Sequence, residues 1–301
     1  MMIQSQTFSL ERETMRQRVA DYLTLTKPRV VPMVLLATAI GYYLGVGAEA
    51  SWWPLLHTLI ATALAAGGTM ALNQYLERDL DALMQRTCRR PLPDGRLQPR
   101  AALIFGTLLI SAGLLHQAAA VSLLSASATA TTVAGYLFAY TPLKSRTPWC
   151  SIPGALAGAL PPATGWIAAR GTINVETAVL VALLFVWQLP HSLAIAWLYR
   201  EDYARAGFRL LPVVQPDGRS TALQVALNSV ALLAAGLLPS LVGMTGSTSF
   251  FVALGLGAAF LACCLHLALR LSNAAAQRVV LASLLYLPVQ FAIMAWDKVP
   301  W

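Results

Sequence analysis

Asn73, Glu77 and Asp81 stand at fourth-residue intervals in the segment NQYLERDLDALMQRTCRRPLP (73–93), directly after an apolar run from Pro54 to Leu72. On a continuous helix the three project from one face over about 12 Å of axis. The same stretch holds a further acid, Asp79, and four arginines, Arg78, Arg86, Arg89 and Arg90, in a chain of which only 11% is charged. Acids at a membrane-proximal helix end are costly to desolvate unless they are paired or bound to a metal. Two readings of this face stand open. Two carboxylates and an amide form a hard oxygen set suited to Mg²⁺, which commonly bridges protein carboxylates to phosphate oxygens. Alternatively, Glu77 and Asp81 form ion pairs with the neighbouring arginines. Those arginines do not decide the matter, because guanidinium also binds diphosphate through paired hydrogen bonds.

Three other places carry groups of the same kind. The segment WLYREDYARAGFRLLPVV (197–214) sets Tyr199, Asp202 and Ala206 at i, i+3 and i+7, a spacing that shares a helix face, with Arg200 and Glu201 turned elsewhere. Tyr140, Lys144 and Arg146 form a compact cationic patch that suits phosphate or lipid headgroups equally. His191 follows Pro190 about two turns before the 197–214 segment, hence at membrane depth, where an imidazole either contacts a ligand or is bonded within the bundle. His57, His116 and His266 read as structural.

These groups must be held by membrane helices. At 301 residues and 57% hydrophobic, the chain is too apolar for a soluble domain. Nine apolar runs read as all-α transmembrane spans: Val30–Val46, Trp52–Leu76, Ala101–Ala119, Val121–Tyr140, Ser151–Ala169, Val175–Leu198, Thr221–Val242, Phe250–Arg270 and Val279–Trp296. With the N-terminus in the cytoplasm, the inside segments 1–29, 77–100, 141–150, 199–220 and 270–278 contain 19 of the 21 Lys and Arg residues, and only Arg170 and Lys298 lie outside. This one-sided distribution follows the positive-inside rule. It also accounts for the net charge of +8 without nucleic acid. The expected organisation is a cytoplasmic segment, 1–29, followed by one transmembrane domain, 30–301, with its chemistry facing the cytoplasm. Ala48-Glu49-Ala50 resembles a signal-peptidase site, but the long leader and a run of about 17 residues favour an uncleaved first span. Pro161-Pro162 must break the fifth run. Cys88, Cys150, Cys263 and Cys264 show neither disulfide nor zinc spacing.

With these motifs in order, the chain resembles the intramembrane UbiA-type prenyltransferases, and within them the members that farnesylate protoheme IX. The resemblance rests on LTKPRVV (25–31), NQYLERDLDALMQRT with RRPLP (73–93), YTPLKSRTPW (140–149), GALAGALPPATGW (154–166), PHSLAIAWLYREDYARAG (190–207) and LLPVV (210–214). It implies nine helices around a lipid-open central cavity in a bacterial inner membrane. It further implies Mg²⁺ at Asn73, Glu77, Asp81 and Asp202, with Tyr199 and Asp202 belonging to a second catalytic motif. Glu77 stands where many relatives have Asp, and Ala206 where many have a further acid. Cys150 stands where a polar Asn is expected. The implied partners are farnesyl diphosphate, heme B and membrane lipid, with a terminal oxidase or a further heme-modifying enzyme downstream. Diphosphate is assigned to Arg89, Arg90, Lys144, Arg146 and Arg200, and heme to His191, Lys27 and Arg29. The implied reaction joins farnesyl to a vinyl group of heme B with addition of water, giving heme O.

Two other readings remain: prenyl transfer to another acceptor such as a hydroxybenzoate, and a non-enzymatic membrane transporter. A transporter is expected to place polar groups through the middle of several helices, whereas here the charges gather at one face.

Overall fold

The computed structural model describes residues 15–47 and 51–300, which are predominantly helical with no β-strand among them. The Ala48-Glu49-Ala50 motif and residues 1–14 of the expected cytoplasmic segment lie outside the described residues. Eleven helices matter for the site: α1 (15–25), α2 (Val31–Gly45), α3 (Trp53–Asp81), α4 (Pro99–Ala120), α5 (Leu123–Ala134), α6 (Ser151–Ala159), α7 (Pro161–Arg170), α8 (Val175–Leu198), α9 (Arg219–Leu241), α10 (Ser247–Arg270) and α11 (Asn273–Trp296). Their starts follow local chemistry. Proline occupies the first turn of α3, α4 and α7, where its missing N–H costs nothing. Ser122, Asn174 and Ser272 accept from backbone amides at the starts of α5, α8 and α11.

Among the described residues six helices, α3, α4, α8, α9, α10 and α11, are long and apolar enough to cross a membrane. The other three predicted spans take different forms. The first, α2, has only 15 residues. The span beginning at Val121 is α5 continued by a π-helical turn, Gly135–Tyr140, and a last α-turn, Thr141–Leu143. The span Ser151–Ala169 is divided at Leu160, because Pro161 and Pro162 cannot donate to the preceding ladder. The expected count of nine thus depends on these shorter pieces crossing as well.

α3 packs along α4, α2 along α7, and α9 along both α8 and α10, while α11 lies against α8, α10 and α2 and so closes the bundle. Close approach comes from small residues. A Cβ on Gly41 of α2 would fall 1.9 Å from the Pro162 carbonyl oxygen, and one on Gly165 of α7 would fall 1.9 Å from that of Thr38. Residues near the C-terminus fasten the ring. Lys298 donates to the carbonyls of Tyr43 (2.7 Å) and Val46 at the end of α2. Asp297 accepts from the Ser249 amide at 2.6 Å and so caps the start of α10.

Within the ring lies a cavity of about 370 Å³, walled by α2, α3, α5, α6, α7, α8 and α11. Its walls are chiefly apolar, and Lys27, Arg29 and His191 are among its lining residues.

Candidate active site

Asn73, Glu77 and Asp81 all sit on α3, which runs five residues past the predicted span Trp52–Leu76, and all three are buried. Each is met by a different cation. Lys27 Nζ donates to Asn73 Oδ1 at 3.0 Å, Lys144 Nζ to Glu77 Oε1 at 2.8 Å, and Arg90 to Asp81 Oδ2 at 2.7 Å. Burial makes this pairing obligatory, since an uncompensated carboxylate here is strongly destabilising. Lys27 lies ahead of α2 in a left-handed backbone conformation, φ 51°. Burial first, then the neighbouring Arg90 and Lys144, push its amine down to about 7.

The π turn after α5 presents the next layer. Its wider winding brings Thr141 Oγ1 onto the Tyr136 carbonyl at 2.8 Å, and the same hydroxyl accepts from Asn73 Nδ2 at 3.2 Å. One turn later Lys144 stands over the rings of Tyr140 and Phe208, 4.7 and 5.5 Å from their centroids. Such π turns often mark functional positions.

The 197–214 segment grips the first loop. α8 ends at Leu198, Tyr199 follows as its C-cap, and a short helix, Arg200–Arg205, carries Asp202 inward. Its Oδ1 accepts from the Gln85 amide at 3.1 Å and from Arg205. Burial works against that carboxylate's charge, but the Gln85 amide and Arg205 hold it below the usual range. Tyr199 and Tyr203 offer their rings to Arg86, at 4.8 and 4.7 Å. Ala206 packs with Met84 and Phe208 in a buried apolar cluster, where an acid would be desolvated without a partner.

Several assignments shift on this geometry. Asp202 serves as a strut between the two loops and does not combine with Glu77 and Asp81 into a three-acid cluster. Lys27, expected at the heme, donates to Asn73 and also lines the cavity. Arg200 turns its guanidinium away, to the Trp197 carbonyl at 2.8 Å and Asn273 Oδ1 at 2.9 Å. Arg89 and Arg146 are exposed, and Arg29 lines the cavity. His191 also lines the cavity; its Nδ1 lies 2.6 Å from Ser283 Oγ and its ring is stacked 5.0 Å from that of Trp187, which leaves Nε2 as the free edge. Cys150 is buried, and burial pushes its thiol up to about 11. Nothing in its surroundings explains why Cys stands there. Thr141, Tyr136 and Ser283 carry no signal in the sequence: each is an ordinary polar residue in an apolar run until tertiary contacts assemble it.

The donor set fits Mg²⁺. Asn73 Oδ1 and the Glu77 and Asp81 carboxylates are hard oxygens on one buried face, each already turned to a positive partner. Among the described residues no group of three His, Cys, Asp or Glu side chains stands ready to hold a metal alone. The amide and the oxygens of a diphosphate would have to complete the coordination.

The profile of the UbiA prenyltransferase family matches residues 34–287. A protein of Solibacter usitatus named protoheme IX farnesyltransferase is 46% identical over 92% of this chain and 98% of its own length. A protein of the same name from Koribacter versatilis is 37% identical over 98% of each. Among solved structures, a UbiA homolog from Archaeoglobus fulgidus bound to GPP and Mg²⁺ aligns with a TM-score of 0.68 at 20% identity, over 91% of this chain and 99% of that one. A digeranylgeranylglyceryl phosphate synthase structure aligns with a TM-score of 0.78 at 14% identity, over 93% of this chain and 98% of that one.

Proposed function

The chain belongs to the UbiA prenyltransferase family, and on that premise we propose that it transfers farnesyl from farnesyl diphosphate to a vinyl group of heme B, giving heme O and diphosphate. One observation carries the reading. Lys27 donates to the amide of the buried acidic face and also lines the apolar cavity, so a charged headgroup site and a space for a hydrocarbon chain adjoin at a single residue.

The reaction divides between these two regions. The allylic C–O bond breaks and its electron pair leaves with the diphosphate. Lys144, Arg90 and Lys27 supply positive charge where the leaving negative charge grows, and preorganised charge in a dry site is effective because it needs no rearrangement as the bond breaks. Bound Mg²⁺, held by Asn73, Glu77 and Asp81, would neutralise that charge further. Apolar walls from α2, α3, α5, α8 and α11 keep water from the farnesyl cation until it reacts. The vinyl π pair then forms the new C–C bond. The cation left beside the porphyrin takes up water, loses a proton, and becomes a hydroxyl.

His191, with Nδ1 directed to Ser283 and its ring against Trp187, offers Nε2 to the heme iron or to a propionate, and Arg29 suits the second propionate. The charged site faces the cytoplasm of a bacterial inner membrane, because the 199–220 and 77–100 loops that build it are the basic ones.

Hemes extracted from membranes expressing the chain, in a host without its own heme O, should include the farnesylated and hydrated product by mass. A His191→Ala chain should bind heme less tightly and yield less of it. Heme B alone, from folded protein with farnesyl diphosphate supplied, would send the assignment to another acceptor; unchanged heme affinity and yield in His191→Ala would remove His191 from the heme site.

A further inference from the structure

The three cations on the Asn73, Glu77 and Asp81 face come from three separate elements: Lys27 from the turn before α2, Arg90 from the loop after α3, and Lys144 from the turn after α5. Glu77 and Asp81 are 5% and 1% exposed, so these pairs are buried and the carboxylates depend on them. Among the described residues, neither Lys144 nor Arg90 has a second carboxylate partner.

A divalent ion arriving alone therefore meets acids that are already neutralised. Binding it would eject an ammonium and a guanidinium from their only anions and leave them beside a doubly charged ion. A diphosphate removes that conflict, because its oxygens accept from lysine and arginine while also serving a metal. Little movement is needed. Lys144 can pivot on a flexible stem over Tyr140 and Phe208, and Arg90, with its side chain 27% exposed, borders open space.

Resting on the prenyl-diphosphate reading above, we infer that Lys144 and Arg90 are exchangeable counter-ions, holding Glu77 and Asp81 while the site waits and passing to the diphosphate when it binds, with Lys27 released from the Asn73 amide oxygen in the same way, so that metal and diphosphate bind with strong positive coupling and metal alone binds weakly. Coupling of this kind is reciprocal: each ligand tightens the other by the same factor.

The test uses the full chain in lipid nanodiscs, with Mn²⁺ as a paramagnetic probe and a non-cleavable farnesyl thiodiphosphate, after correction for the complex the two form in solution. The analogue should bind on the order of 10–100-fold tighter with Mn²⁺ than without it, and Mn²⁺ tighter with the analogue by the same factor. Lys144→Met, by freeing Glu77, should bind Mn²⁺ alone about tenfold tighter than wild type while binding the analogue more weakly; a purely structural role for Lys144 would weaken both. Should Lys144→Met fail to fold, Lys144→Gln, which also frees Glu77 of its ion pair, is read in the same way. Analogue binding that changes less than about twofold with Mn²⁺ overturns the counter-ion exchange and leaves the prenyl-diphosphate reading intact. Failure of the analogue to bind under any condition overturns both.

Discussion

Asp81→Asn should lower heme farnesylation by a factor on the order of 10³ while leaving the bundle assembled, equivalent to about 4 kcal/mol of transition-state stabilisation. The substitution keeps the shape of a residue that is 1% exposed, and so creates no void. What it removes is the negative charge that Arg90 meets at 2.7 Å and that the proposed metal would share. The amide can still accept from Arg90, so the cost to stability should be far below that to turnover. Initial rates with saturating farnesyl diphosphate, read by heme mass analysis, measure the first effect; thermal unfolding in detergent measures the second. Turnover within tenfold of wild type would take Asp81 out of the catalytic centre.

The second large effect concerns assembly. Gly165→Ala should destabilise the bundle by about 3 kcal/mol or more, because its methyl would lie 1.9 Å from the Thr38 carbonyl oxygen and 2.7 Å from the Tyr42 amide nitrogen. Both neighbours are backbone and cannot rotate away, so α2 and α7 must part. These helices are two walls of the cavity, and activity should fall with stability. Gly255→Ala is the matched control, since a Cβ there meets nothing within 4 Å. A lowered unfolding midpoint for Gly165→Ala beside an unchanged one for Gly255→Ala is the expected pattern; equal midpoints would show that the α2–α7 approach is not tight.

How much of this was legible beforehand differs by element. Spacing placed Asn73, Glu77 and Asp81 on one helix face because a helix has a fixed period, and the structure carries α3 through all three. Hydropathy found the six long spans, whose signal is local. It could not foresee the π turn at 135–140, whose sequence GYLFAY reads as any apolar helix. Contacts between distant segments were equally hidden. Lys27 and Asn73 are 46 residues apart, and nothing in LTKPRVV says whether its lysine faces a heme or an amide. Ala206 was visible as a missing acid, but its burial beside Met84 and Phe208 depends on how two loops far apart in the chain meet.

The ring is closed where α2 meets α11, and fastened by Lys298 on the carbonyls at the end of α2. In terms of biosynthesis, α2 leaves the ribosome long before its partner and its C-terminal cap exist. Every intervening helix must be inserted while one side of the cavity stands unwalled, and the completed chamber can form only after residues 297–298 have been made. Chains halted within α11 should therefore hold the acidic face on α3 and its cations yet lack a sealed space beside them, so that the chamber ripens only after its charged end is already in place.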